Sequence, residues 1–166
     1  MASREEDRAA RAPAALFDDL DEALRSEFGA RVIYGLLARS ERDEELARLF
    51  ATLADEQHAQ IERLRSLIVA LGGRARAACR RRTVLAHALH AFRFVGGRKF
   101  ALRLCHDAQA SLEYRYHGVG RYLAAIGTVA LAESAGTLAT TKGRHARALL
   151  TWLEHGDHPA GPPRRR

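Results

Sequence analysis

The chain has 166 residues, of which 47% are hydrophobic and 28% are charged, with a formal net charge of +7. This length suits one domain with a sizeable core. No apolar run is long enough for a transmembrane helix, and the first residues lack the apolar region of a secretory signal. The two cysteines cannot build a disulfide framework, so we expect a reducing, cytoplasmic environment.

The positive charge lies in the second half of the chain. Residues 1–73 carry 15 acidic and 10 basic side chains, whereas residues 74–166 carry 5 acidic and 17 basic ones. Between residues 74 and 106 there are nine basic side chains and no acidic one. Such a stretch suits a polyanionic partner, and an anionic membrane and nucleic acid are both candidates.

Four long segments rich in Ala, Leu, Arg and Glu predict helices, because these residues favour helices and the four prolines lie outside them. The first is predicted over residues 14–39. The second follows a cap at Ser40 and ends at Leu71, where two glycines stop it. The third and fourth are predicted over residues 98–126 and 129–155.

The connections between these helices indicate their arrangement. They are short between the first and second helices and between the third and fourth. The second and third are joined by a long connection that carries an apolar segment at residues 84–95. We therefore predict an all-α fold over residues 14–156, a ferritin-like up-down four-helix bundle with a short apolar helix in its long crossover. We expect residues 1–13 and the basic tail at 157–166 to be disordered.

Polar residues on the predicted apolar faces are candidates for a metal site. A carboxylate and an imidazole one turn apart in the second helix, at positions 55 and 58, could reach one ion. Glu27 and His145 on the apolar faces of the first and fourth helices, with Glu113 on the flank of the apolar stripe of the third, would complete the site. The predicted metal ligands are Glu27, Asp55, His58, Glu113 and His145.

Four of these five residues also have a purely structural interpretation. Glu27 could form an ion pair with Arg31, which follows it by four residues on the same helix face. The Asp55 and His58 spacing is common in charged helices. A lone histidine such as His145 on an apolar face is more often a satisfied core residue than a ligand.

The order of these residues resembles the ferritin-like di-iron carboxylate superfamily, which has Glu on two helices and Glu-x-x-His on the other two. Residues 53–64 look like the second helix of rubrerythrins and bacterioferritins. Residues 26–34 and 97–101 are similar to the demethoxyubiquinone hydroxylase family. The resemblance implies iron or manganese and an oxygen-dependent oxidation of a quinone-like or other organic substrate.

The chain departs from that family pattern at three ligand positions. Asp55 replaces a glutamate, Gln109 falls where the closer family has a metal-binding glutamate, and Lys142 falls where the fourth helix should supply one. A protonated lysine cannot bind a metal and repels cations. Two interpretations stay open: an iron-dependent oxidoreductase, or a metal-free ferritin-like bundle that serves as a binding or structural protein. In the second case, ion pairs of Glu27 with Arg31 and of Asp55 with Lys142 are expected at the centre.

The stretch from Arg74 to Lys99 combines basic flanks with the apolar segment at residues 84–95. This pattern suits an interfacial helix on an anionic membrane, which implies a cytoplasmic protein attached to the inner face of the membrane. The simpler interpretation, which the sequence favours, is a core helix that crosses one end of the bundle beside a solvated arginine loop. Nucleic acid is less favoured, because no nucleic-acid-binding module is recognisable. A homodimer is a further possibility.

Overall fold

The computed structural model describes the backbone of residues 2–75 and 80–156, and the side chains of residues 14–75 and 97–156. Within these residues the chain contains four helices and no strand. The all-α prediction with four long helices is thereby confirmed. The helices are α1 (Ala2–Ser40), α2 (Glu44–Ala70), α3 (Arg80–Ala125) and α4 (Val129–His155).

The start of α2 depends on an aspartate and not on the predicted serine. The Asp43 carboxylate accepts hydrogen bonds from the backbone N–H groups of Glu45 and Leu46, both at 3.1 Å. This is the usual chemistry of a helix N-cap. Ser40 instead donates its hydroxyl to the Leu36 carbonyl in the last turn of α1. The prediction that Ser40 caps α2 is therefore wrong.

Glycines in the left-handed region lie at three chain reversals or breaks. Gly72, with φ 87°, follows the end of α2, and Gly127, with φ 81°, lies in the turn between α3 and α4. Only glycine adopts such angles without strain, so these predicted helix ends are confirmed. Gly97, with φ 76° and ψ 179°, interrupts α3. Residues 98–125 therefore form a segment of their own.

Several sequence predictions concern regions whose side chains are not described. The apolar segment at residues 84–95 belongs to the helical backbone of α3, but its side chains lie outside the described residues. The tail at residues 157–166 lies outside them as well. Residues 2–13, predicted as a disordered terminus, belong to the backbone of α1, again without described side chains. The interfacial role of residues 84–95 stays a prediction.

The helices pack around two apolar clusters. α1 contacts α2 and α3, and α4 contacts the same two helices. Every helix contributes residues to both clusters, so every helix runs the length of the core. The first cluster includes Leu20, Ile68, Leu123 and Leu138, and the second includes Leu37, Phe50, Ala101 and Leu149.

The order of these residues along the chain fixes the direction of each helix. α1 and α4 run from the first cluster to the second, whereas α2 and residues 98–125 run the opposite way. Every contacting helix pair is thus antiparallel, and the connection between α2 and residue 98 joins opposite ends of the core. Within the described residues, no helix combines the length and the apolar character needed to cross a membrane.

Candidate functional site

Buried polar side chains form a layer between the two apolar clusters. In α2, for example, this layer falls between Leu53 of the second cluster and Ile61 of the first. All four helices contribute to it at the same level of the core. We call it the polar layer, and its members are Glu27 of α1, Gln57 and Gln60 of α2, Gln109 of α3, and Lys142 and His145 of α4.

Helical periodicity places these side chains inside. Residues three, four or seven positions apart share a helix face. Glu27 follows the buried Leu24 by three positions and precedes the buried Tyr34 by seven. Lys142 likewise follows the buried Ala139 by three positions. The polar residues therefore occupy positions of the core stripe at which apolar residues would otherwise stand.

An ion pair forms the centre of the polar layer. Lys142 Nζ lies 2.6 Å from Glu27 Oε2, and both side chains are 0% exposed. The same ammonium donates a longer hydrogen bond, 3.3 Å, to Gln57 Oε1. The Tyr116 hydroxyl donates to the other Glu27 oxygen, Oε1, at 2.7 Å. Donors from α3 and α4 thus engage both oxygens of the α1 carboxylate.

Burial controls the ionisation of the groups around this pair. It lowers the pKa of Lys142 from its usual 10.5, and the Glu27 carboxylate opposes that shift. Burial and the Glu27 charge both raise the pKa of Tyr116, so its hydroxyl keeps the proton that it donates. Burial also raises the pKa of the Cys105 thiol to about 12, so this cysteine is an unreactive core residue.

A second cluster links the polar layer to the surface. His145 Nε2 lies 2.7 Å from Glu56 Oε2, and Arg144 Nη2 lies 2.6 Å from the same oxygen. Burial lowers the pKa of His145, and although the hydrogen bond to Glu56 opposes this shift, the nearby Lys142 charge adds to it. The neutral ring donates from Nε2 to Glu56, while Nδ1 has no hydrogen-bond partner. Glu56 therefore joins α2 to α4 at the edge of the layer.

The predicted ligand pair in α2 lies outside the core. Asp55 and His58 are both exposed, because the register of α2 turns Gln57 and Gln60 inward instead. Two uncharged amides thus occupy the positions where a metal-binding carboxylate and imidazole were expected. The structure does not bring Asp55 or His58 to Glu27.

The other predicted ligands are also spread apart. Glu113 is half-buried on α3, and its carboxylate fills the space directly over Gly143, where a larger residue would need room. Of the five predicted ligands, only Glu27 and His145 belong to the polar layer. Among the described residues, no group of three or more His, Cys, Asp or Glu side chains is placed to hold a metal ion.

The two ion pairs predicted for a metal-free centre are wrong in their partners. Arg31 is exposed, and so is Asp55, so neither reaches the core. Lys142 does lie in the centre, but its partner is Glu27. The expectation that a buried carboxylate without a metal needs a nearby cation holds for this different pair.

Some residues of the layer were missed by the sequence prediction. Gln57 and Gln60 carry no charge, so they were not predicted as metal ligands. Their signal is the apolar stripe itself, since Leu53, Gln57, Gln60 and Leu64 recur at helical spacing. Tyr116 was placed correctly on the apolar stripe of the third helix, but nothing in the sequence indicated its hydroxyl as a partner of a carboxylate.

The donor chemistry of the polar layer does not fit a di-iron centre. Such a centre uses four carboxylates and two imidazoles around the ions. The layer offers one carboxylate, Glu27, whose two oxygens are already engaged, and one imidazole, His145, whose Nε2 bonds Glu56. The ammonium of Lys142 occupies the position beside Glu27 and would repel a cation.

The polar layer also contains polar atoms without hydrogen-bond partners. Each such buried atom costs about 1–3 kcal/mol. Among the described residues, these atoms are Gln57 Nε2, Gln60 Oε1, Gln109 Nε2 and Oε1, and His145 Nδ1.

A surface groove of about 550 Å³ lies between the start of α1 and the second half of α3. Its wall includes Leu16 of α1 and, on α3, Val119, Tyr122 and Tyr114, whose side chain is among the exposed large hydrophobic ones at 75%. The groove lies at the end of the core that holds the first apolar cluster. Asp19, Arg115 and Arg121 also line the groove, so its wall is both apolar and charged.

Comparisons with protein-family models, with curated proteins and with solved structures find no match to this chain. The ferritin-like resemblance therefore stays a prediction from the sequence.

Replacing Lys142 tests the ion pair. We expect Lys142→Met to lower the free energy of unfolding by about 3–5 kcal/mol, because Glu27 would remain buried without a counter-charge. The double variant Glu27→Gln/Lys142→Met should recover most of that loss, since no charge is left. Chemical denaturation of the three proteins measures both effects.

Arg144→Met provides the matched control. Its ion pair with Glu56 involves an arginine side chain that is 61% exposed, so its loss should cost less than about 1 kcal/mol. If Lys142→Met costs no more than this control, the ion pair does not stabilise the fold as argued above.

The histidine of the layer predicts a loss of stability in acid. Because burial holds the pKa of His145 below its usual 6.5, the unfolded chain binds a proton at a higher pH than the folded protein. The free energy of unfolding should therefore fall as the pH drops below that usual value. His145→Gln should flatten this dependence in denaturation series between about pH 7.5 and 5. His117→Gln, at an exposed position, should leave it in place.

Proposed function

We propose that this protein is a ferritin-like bundle that works without a metal, as a binding or structural protein. The observation that carries the proposal is the Glu27–Lys142 ion pair, with both side chains fully buried at the centre of the core. An ammonium in that position supplies the positive charge that an ion would otherwise supply to the carboxylate.

The ferritin-like part of the proposal is supported by helix direction. α2 and residues 98–125 run the same way, and the chain between them joins opposite ends of the core. A four-helix bundle with one long crossover has this arrangement. The six polar positions, one on each of α1 and α3 and two on each of α2 and α4, also follow the order in which such bundles present their metal ligands.

An oxygen-dependent oxidoreductase is the less favoured alternative. Such chemistry in this fold needs several carboxylates around the ions. Here the corresponding positions hold Gln57, Gln109 and Lys142, and only Glu27 keeps the acid. The amides are weak ligands, and the ammonium cannot ligate while it is protonated.

Metal analysis tests the proposal directly. Protein purified from medium supplemented with iron and manganese should contain almost no bound metal, and its melting temperature should not respond to either ion or to a chelator. Lys142→Glu should behave differently, because two buried carboxylates then face each other and a divalent cation would relieve their repulsion. We expect manganese to raise the melting temperature of this variant.

Lys142→Met is the matched control for that experiment. It removes the ammonium without adding a carboxylate, so manganese should not stabilise it. Stoichiometric iron or manganese in the unmodified protein would overturn the proposal of a metal-free bundle.

We propose an anionic membrane surface as the partner, with the protein on the inner face of the membrane. The proposal is supported by the stretch from Arg74 to Lys99, which is basic at both ends and contains no acidic residue. Among the described side chains, Arg74 and Arg103 are exposed at the edges of this region. Basic side chains near an anionic leaflet contribute about 1 kcal/mol each.

The groove beside Tyr114 suits a second copy of the chain.

Cosedimentation with lipid vesicles tests this partner. The protein should bind vesicles that contain phosphatidylglycerol and not pure phosphatidylcholine, and binding should weaken as salt is added. Arg74→Glu/Arg103→Glu should bind more weakly. The control Arg48→Glu/Arg63→Glu changes exposed arginines of α2 outside the stretch and should bind normally. Tighter binding to duplex DNA than to the anionic vesicles, at equal salt, would contradict the membrane proposal.

A further inference from the structure

The unpartnered atoms of the polar layer include both donors and acceptors. Gln57 Nε2 can only donate, because its Oε1 accepts from Lys142 and thereby fixes the orientation of the amide. Neither the oxygen nor the nitrogen of Gln109 makes a hydrogen bond of ordinary geometry, although its amide lies near enough to the Tyr34 hydroxyl to oppose the rise that burial causes in the pKa of that group. The neutral His145 ring, with its proton on Nε2, presents Nδ1 as an acceptor. Whatever satisfies these atoms must both donate and accept hydrogen bonds.

The charges of the layer exclude an ionic occupant. Glu27 and Lys142 neutralise each other at 2.6 Å, and both are fully buried. An added cation or anion would therefore be a buried charge without a counter-charge. A metal cation would moreover satisfy only the acceptors, and an anion would satisfy only the donors.

We infer that the polar layer binds ordered water, which completes the hydrogen bonds of Gln57, Gln109 and His145. Water is neutral and small, and it donates and accepts equally. A buried water molecule typically makes about three hydrogen bonds to otherwise unsatisfied groups, and polar sites of this kind are where it is found. The unpartnered atoms thus form a hydration site in the middle of the core.

The polar layer lies close to solvent on one side. Gln60 is the least buried member of the layer, at 6% exposure. Next to it on α2, the Glu56 side chain is one-third exposed and bridges to His145 on α4. α2 and α4 also pack less extensively on each other than the other neighbouring helix pairs do. The seam between these two helices is therefore the least covered side of the layer.

This inference rests on the proposed metal-free centre, and it states what that centre contains. The two are separable by experiment, because an ion bound beside Glu27 would overturn both. A centre without metal and without water would overturn only the hydration site.

A high-resolution crystal structure of the full chain tests the inference. We expect ordered water within hydrogen-bond distance of Gln57 Nε2, of the Gln109 amide and of His145 Nδ1. Side-chain NH₂ signals of Gln57 and Gln109 should also show cross-peaks to water in NMR spectra of the dissolved protein. A layer without ordered water at these atoms would overturn the inference. Density for a larger molecule or an ion would overturn it as well.

The variant Gln109→Leu gives an independent measurement, because the sign of its effect differs between a wet and a dry layer. In a wet layer the substitution removes partners of bound water, so the melting temperature falls. In a dry layer it removes two unsatisfied atoms, so the melting temperature rises. Glutamine and leucine have similar helix propensities, so the comparison isolates the environment of the side chain. A rise would contradict the hydration site.

Discussion

The buried charge pair between α1 and α4 is the interaction around which the rest of the core is organised. Glu27 and Lys142 can stay ionised away from water only because each neutralises the other, with Tyr116 and Gln57 completing their hydrogen bonds. α3 and α4 thereby bond the Glu27 carboxylate directly, and α2 bonds the Lys142 ammonium that faces it. The apolar clusters on both sides supply the bulk of the packing, and the pair adds a requirement that only one arrangement of the helices meets.

Much of this fold could be predicted from the sequence, because helix formation is a local property. The absence of proline between residues 14 and 158 and the glycines after α2 and α3 mark the helices to within a few residues. The cap of α2 was misplaced, since Ser40 and Asp43 are both good capping residues and the choice depends on where the turn closes. Residue spacing alone does not decide that geometry.

The site was harder to predict because a sequence shows directly which residues are charged but not which residues are buried. Asp55 and His58 have the right chemistry but lie on the outer face of α2, whereas the uncharged Gln57 and Gln60 lie inside. Two positions along a helix correspond to about half a turn, so Asp55 and Gln57 lie on opposite faces of α2. Lys142 and Gln109 were recognised as departures from a metal site, yet the partner of Lys142 could not be chosen without the packing of α4 against α1.

The position of the polar layer midway along the core has a consequence for the alignment of the helices. An apolar stripe is tolerant of sliding, because one leucine can replace another when a helix shifts by a turn. A shift of α4 by one turn, about 5.4 Å, would instead separate Lys142 from Glu27 and leave both charges in contact with hydrocarbon. The ion pair therefore fixes the axial register of the four helices relative to one another.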